Sequence, residues 1–207
     1  MALITVSNNS LTAVTALPAS IPTGSLTLIK SITASSSASI SFVHGADGVI
    51  LDTTYKSYIF KFINCHPETN NVFFTFQGTI ADESASYNQT ITSTHFRAYH
   101  NEADSATILG SVPDLDQAQG TDFQKLGYNV GNLADESLSG TLQIFNPSST
   151  TFVKHFIARC NIYYEGNFSF DSFTAGYFNQ TAALRRFQFK MSSGAIDDGI
   201  IKLYGVK

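Results

Sequence analysis

Residues 184–207, LRRFQFKMSSGAIDDGIIKLYGVK, carry the clearest structural signal in this chain. Apolar and polar residues alternate there with a period of two, which is typical of a strand with one buried side and one solvent-facing side. The residues predicted to face the core are Phe187, Phe189, Met191, Ile201 and Leu203. Residues 192–199 are rich in Ser, Gly and Asp and predict a turn, with Asp197 and Asp198 as turn residues. The stretch therefore predicts a β-hairpin.

Similar strand signals recur between turns through most of the chain, and they favour an all-β, antiparallel β-sandwich, jelly-roll-like, over residues 26–207. Further strands are predicted at 26–32, 39–43, 58–63, 72–77, 89–99, 138–145, 152–164 and 175–178.

The period is lost between residues 101 and 136, where Pro, Gly and Asp are frequent. This region is predicted to form long loops, with a helical turn near 114–119 and a short strand at 123–126. Long loops often contact partners, so this is the predicted region for a binding surface. The alternative is a purely structural excursion that covers a sheet edge.

Residues 1–25 differ from the rest of the chain and predict an extended N-terminal arm. Leu11, Val14, Leu17 and Ile21 are spaced among small polar residues, and two prolines in this segment oppose a helix. These four apolar residues are the predicted assembly interface, through which the arm anchors the domain.

Charge and hydropathy exclude several classes of function. Charged residues make up 14% of the 207 residues, against about 25% in ordinary soluble domains. A weakly charged polar surface favours packing of copies against one another, because few charges must be desolvated. The net charge of −4 and the pI of 5.6 argue against a nucleic-acid partner. No apolar run approaches the ~20 residues of a membrane span, and no secretory signal pattern is visible, so we expect synthesis in the cytoplasm and no membrane insertion.

No catalytic, cofactor or metal motif is visible. The five histidines are scattered, and His95 and His100 should lie on opposite faces of one strand. Adjacent acidic residues occur beside Ser, Gly or Pro, as in solvated turns, whereas a glycosidase needs two acids facing each other across a cleft. We therefore predict a non-enzyme without cofactor or metal, and a polysaccharide depolymerase is the enzymatic alternative. Cys65 and Cys160 are predicted as free thiols, with one long-range disulfide as the alternative.

Aromatic residues are the remaining candidates for recognition. Most of the 17 Phe should be core, while several of the 9 Tyr fall near strand ends or in the predicted loops. Amphipathic rings at such places can contact a protein or a sugar. Tyr99, His100 and Tyr128 are the candidate contacts with a receptor or partner. The absence of Trp weakens the case for glycan binding.

Several segments resemble virion structural proteins of tailed bacteriophages, including those of cyanobacteria and other marine and freshwater hosts. FKMSSGAIDDGIIKLYGVK (189–207) is similar to a C-terminal strand pair of β-sandwich domains in such proteins, and LSGTLQIFNPSST (138–150) to a strand that runs into an FNP turn. YKSYIFKFINCHP (55–67) and ITSTHFRAYHNEADSATILG (91–110) are similar to the same group. The resemblance covers about 26–207.

The resemblance implies a tail-fibre or appendage-type subunit of the virion, held by its N-terminal arm. Phage appendages often have three-fold symmetry, so a homotrimer that contacts other tail or capsid proteins is expected by analogy. A capsid decoration or vertex protein is the first alternative. A module that binds a host-surface glycan or protein during attachment is the second.

Overall fold

The computed structural model describes residues 25–80, 86–164 and 166–207. These residues form thirteen strands and one 3-10 turn at Pro113–Leu115, and they contain no α-helix. The prediction of an all-β, antiparallel chain is confirmed. The strands are β1 (Leu26–Thr33), β2 (Ile40–Val43), β3 (Ser57–Pro67), β4 (Val72–Thr79), β5 (Ile91–Asn101), β6 (Thr107–Ser111), β7 (Ala118–Gly120), β8 (Gln124–Val130), β9 (Leu138–Phe145), β10 (Lys154–Tyr164), β11 (Phe168–Phe178), β12 (Arg186–Met191) and β13 (Ile196–Val206).

The strands form one antiparallel sheet that curls until it is nearly closed as a barrel. Its path runs β1-β13-β3-β9-β10-β8-β4-β12-β2. A branch leaves β10 through β11 to β5, and β5 carries β6 and β7. The step from β10 to β8 consists of a single residue pair, Tyr164 with Val130. The curl therefore turns one side of the sheet, the inward face, onto an enclosed core and leaves the outward face exposed.

The prediction of a C-terminal hairpin is wrong, because β12 and β13 do not pair with each other. β12 lies between β2 and β4, and β13 lies between β1 and β3. The turn is also shorter than predicted, since β13 already begins at Ile196. Asp197 and Asp198 lie in a bulged part of β13 rather than in a turn. Gly199 has φ +121° there, and a Cβ atom would come within 2.7 Å of Cys65 Cα on β3.

The predicted inward residues of the C-terminal stretch are nevertheless confirmed, since all five are buried. Phe189 occupies the middle of the core, with ring centroids 4.9 Å from Phe60 and 5.3 Å from Phe62 on β3. These rings belong to strands that are not hydrogen-bonded neighbours, so they hold opposite sides of the curled sheet together. Edge-to-face aromatic pairs of this kind add about 0.5–1.5 kcal/mol each beyond area burial.

The prediction of long loops over 101–136 is wrong for most of that region, which contains β6, the 3-10 turn, β7 and β8. Among the described strands β6 pairs with β5 alone, and its residues are mostly exposed, so its side chains show no alternation from which a strand could be predicted. β8 extends beyond the predicted 123–126. Gly127 and Asn129 interrupt the apolar pattern, so the sequence does not indicate the second half of the strand. The helical turn is shorter and earlier than predicted, at Pro113–Leu115. β6 and β7 extend the sheet beyond β5.

The predicted assembly interface of Leu11, Val14, Leu17 and Ile21 lies outside the described residues. The first described strand, β1, pairs with β13 and lies at the end of the sheet formed by the described residues.

Candidate functional site: an arginine and aromatic pocket

A cavity of about 170 Å³ opens where β5, β8, β10 and β11 meet. Strand alternation explains its lining, because odd-numbered residues of β5 face inward and Tyr99 lies opposite Phe170 of β11. The bulk of the lining is aromatic, with one cation among the rings. The lining residues are Arg97, Tyr99, Tyr128, Tyr164, Phe168 and Phe170.

The guanidinium of Arg97 is surrounded by three aromatic rings. Its Cζ atom lies 5.5 Å from the ring centroid of Tyr99, 5.2 Å from that of Tyr128 and 5.3 Å from that of Phe170. These distances allow cation–π attraction to all three rings. Within the described ranges, no carboxylate or carbonyl accepts a hydrogen bond from Arg97. The rings therefore hold the guanidinium while its N–H donors stay available.

The rings also support one another. Tyr128 stacks on Phe170 with a centroid distance of 5.2 Å and on Tyr164 with 6.0 Å. Phe168 meets Tyr99 and Tyr164 edge-on, at 5.3 and 5.4 Å. Packing on several sides fixes the rotamers of these rings, so the pocket is largely preformed.

Several polar groups in and next to the pocket have no partner. The hydroxyl groups of Tyr99, Tyr128 and Tyr164 have no hydrogen-bond partner in the part of the chain that the structure describes. Ser172 lies directly opposite Arg97 in the β5–β11 pairing, and its Oγ atom is buried without a partner. Buried polar atoms are nearly always satisfied by protein or by another molecule. The arrangement can therefore bind a polar, negatively charged group with a ring attached.

His95 lies two residues before Arg97 on the same inward face and is 1% exposed. Its Nδ1 atom is 2.8 Å from Thr174 Oγ1, and its Nε2 atom has no partner. Burial, together with the positive charge of Arg97, lowers the pKa of His95 to about 4. The imidazole is therefore neutral at pH 7, so Arg97 is the positive charge on this part of β5.

We expect His95 to make the fold sensitive to acid. His95 takes up a proton near pH 6.5 in the unfolded chain and only near about pH 4 in the folded chain. The stability that the neutral imidazole contributes is therefore fully present above the first value and is lost as the pH falls towards the second. The loss is roughly 3 kcal/mol, from ~1.36 kcal/mol for each pH unit between the two values. Urea unfolding at pH 7, 5 and 4 measures it.

His95→Gln is the matched control for this acid sensitivity, because glutamine does not titrate. Carboxylates titrate alike in both proteins, so the stability advantage of the wild type over the variant should shrink as pH falls. An advantage that stays constant from pH 7 to 4 contradicts the prediction.

The structure separates the three predicted contact residues. Tyr99 and Tyr128 meet in the pocket, whereas His100 points to the outward face, where its Nε2 atom lies 2.9 Å from Asp104 Oδ1. His100 lines a different cavity of about 310 Å³, which shares Phe168 with the pocket. Arg97 is not among the residues predicted from the sequence, although the pattern Arg97-Ala-Tyr99 places both side chains on one strand face.

A third cavity, of about 490 Å³, is lined by two acidic pairs, Asp135-Glu136 and Asp197-Asp198. Two of these four carboxylates accept local hydrogen bonds: Glu136 from the Leu133 N–H at 2.7 Å and Asp198 from the Gly199 N–H at 2.6 Å. Such bonds brace the loop and the bulge. Among the described residues, no group of three or more His, Cys, Asp and Glu side chains is arranged to hold a metal ion.

The two cysteines are free and buried in the core. They lie on β3 and β10, on either side of β9, opposite Leu138 and Gly140. Burial raises the pKa of Cys65 to about 12 and also raises that of Cys160. Both thiols are therefore protonated and unreactive at neutral pH.

Comparison of the chain with protein-family models, curated proteins and solved structures finds no match. In the described ranges, no helix has the length and apolar character needed to cross a membrane.

Proposed function

We propose that this chain is a non-enzymatic structural subunit of a tailed-bacteriophage virion, of the tail-fibre or appendage type, that assembles with copies of itself into a homotrimer. The observation that carries this proposal is a row of mainly apolar side chains, interrupted by Gln143, across the outward face of the sheet. Strand pairing places its members side by side from β1 to β11. The row consists of Leu28, Tyr204, Ile59, Gln143, Ile157 and Ala175.

Parts of this row are well exposed. Leu28 is 52% exposed and Ile157 56% exposed, and Phe96 and Leu109 are further exposed apolar residues on β5 and β6. Exposed apolar side chains grouped in this way typically mark a contact with protein. Only 14% of residues are charged, so two such surfaces can meet with little desolvation cost. A second copy of the chain is the occupant that this composition favours.

We also infer that residues 26–207 form a jelly-roll-like β-sandwich, and that the arm of residues 1–25 anchors this domain. Consecutive strands β1 and β2, β3 and β4, and β12 and β13 do not pair with each other, which is typical of chains that cross between two packed faces. The resemblance of four segments to phage virion proteins supports the virion as its location.

Ile157→Glu is expected to shift the purified oligomer to monomers by placing a charge in the contact. Size-exclusion chromatography with light scattering measures the mass. Thr53→Glu, an exposed substitution in a turn away from this row, is the control and should leave the mass unchanged. A wild-type monomer at high concentration contradicts self-assembly, and absence of the protein from purified virions contradicts the virion assignment.

A second candidate function is attachment to carbohydrate on the host surface, and the arginine and aromatic pocket favours it. Attachment predicts that purified protein adsorbs to host cells and blocks infection. Failure of both would exclude it and leave the structural role, as an appendage or as a capsid decoration, in place.

A further inference from the structure

We propose that the pocket of Arg97, Tyr99, Tyr128, Tyr164, Phe168 and Phe170 binds an acidic sugar, with the sugar carboxylate on the Arg97 guanidinium and the sugar ring against the aromatic walls. The biological role of such a site rests on the proposed attachment function. The binding itself depends only on the pocket.

Comparison of Arg97 with Arg159 supports a carboxylate as the group that Arg97 binds. Arg159 on the outward face also stacks on a ring, with Cζ 4.7 Å from the centroid of Phe173, but its charge is neutralised by Asp171 at 2.7 Å. Arg97 has the same kind of aromatic support and no carboxylate partner among the described residues. A guanidinium fork is matched in shape and charge by one carboxylate, which it binds through two parallel hydrogen bonds. A ligand carboxylate can therefore occupy at Arg97 the place that the Asp171 carboxylate occupies at Arg159.

One carboxylate suits the local charge better than a phosphate group does. Arg97 is the one cation among the lining residues, and the net charge of the chain is −4. A phosphate ester carries up to about two negative charges at neutral pH and typically needs several positive groups or a row of backbone N–H donors. The lining provides a single positive charge. A ligand with one negative charge would balance the charge of Arg97.

The walls of the pocket favour a sugar ring behind the carboxylate. A sugar has apolar C–H faces that pack on aromatic rings and hydroxyl groups that need hydrogen-bond partners. The pocket offers aromatic rings and the hydroxyls of Tyr99, Tyr128 and Tyr164, which have no partner in the described ranges. Ser172, opposite Arg97 in the strand pairing, adds a buried Oγ without a partner next to the pocket. Its volume of about 170 Å³ is near that of a cavity that holds a benzene molecule, about 150 Å³, so one six-membered ring is the expected occupant.

Titration of the full-length protein with sodium glucuronate, glucose and sodium acetate tests the proposal. Glucose has the same ring as glucuronate without the carboxylate, and acetate has the carboxylate without the ring. NMR of isotope-labelled protein should show glucuronate shifting the Arg97 side-chain N–H resonance, with a dissociation constant near 1 mM, and at least about tenfold weaker binding of the other two. Equal binding of glucose overturns the carboxylate contact. Equal binding of acetate overturns the sugar assignment.

Substitutions of two arginines locate the binding. Arg97→Met should weaken glucuronate binding at least about tenfold, whereas Arg159→Met should leave it unchanged, because the charge of Arg159 is already paired. Should Arg97→Met fail to fold, Arg97→Lys keeps the charge and loses the fork, and it should bind several-fold more weakly. Glucuronate affinity that is unchanged by these Arg97 substitutions overturns the proposal, as does an Arg97 resonance that glucuronate never shifts.

The outcomes for the pocket and for attachment can be told apart. Glucuronate binding without adsorption to host cells retains the site and rejects attachment. Adsorption that is unaffected by Arg97→Met, in a protein that does not bind glucuronate, retains attachment and rejects the site.

Discussion

Phe187→Asp is expected to abolish soluble folding of this chain. The ring of Phe187 is fully buried on β12, 5.6 Å from the Phe60 ring and 6.3 Å from the Phe178 ring. Loss of a buried phenylalanine alone costs about 3–5 kcal/mol, and burial of an unpaired carboxylate adds several kcal/mol even after relaxation. The sum is comparable with the whole stability of a domain, about 5–15 kcal/mol. Soluble yield and the cooperativity of urea unfolding measure the effect.

Gln188→Asp is the matched control for Phe187→Asp. It introduces the same side chain at the next position of β12, on the opposite face, where Gln188 donates a hydrogen bond to Ser41 Oγ at 3.0 Å. Loss of this partly exposed bond should cost about 1 kcal/mol. A soluble, cooperatively folding Phe187→Asp protein would show that the inward face of β12 has been assigned wrongly.

The inward face could be predicted from the sequence because it depends on side-chain alternation alone. Phe60, Phe74 and Phe189 are buried where the period of two places them. Strand pairing could not be predicted in the same way. The apparent hairpin of residues 184–207 has the composition of a turn, yet β12 and β13 take different partners. The choice between a hairpin and a crossover depends on contacts between residues far apart in sequence, which local composition does not record.

The candidate site could be predicted only in part, for the same physical reason. Tyr99 and Tyr128 were recognisable as amphipathic rings without a clear core position. Their meeting around Arg97 required the register of β5 with β11 and the curl that brings β8 to the end of β10. His100, a neighbour of Tyr99 in sequence, lies on the opposite face because adjacent strand residues point in opposite directions. Sequence proximity was therefore a poor guide to this pocket.

Side-chain alternation alone does not explain why a charged residue, Lys154, faces inward. It occupies an inward position at the start of β10 and is fully buried. Its Nζ donates hydrogen bonds to three backbone carbonyls, those of Phe152 at 2.9 Å, Gln180 at 3.0 Å and Thr181 at 2.8 Å. Burial lowers the pKa of the ammonium group. The three carbonyls satisfy all of its donors, so one buried charge joins the entry of β10 to the segment that follows β11.

Lys154→Met is expected to lower the free energy of unfolding by about 3 kcal/mol or more. Methionine fills a similar volume, but it leaves three carbonyls without their donor, each at a cost of about 1–3 kcal/mol where water cannot replace it. Urea unfolding measures the loss, and amide hydrogen exchange should show residues 179–184 opening more readily than the core strands. Lys56→Met replaces an exposed lysine and should change stability by less than about 0.5 kcal/mol. Equal stability of the two variants would mean that the Lys154 ammonium is not needed to hold this segment against β10.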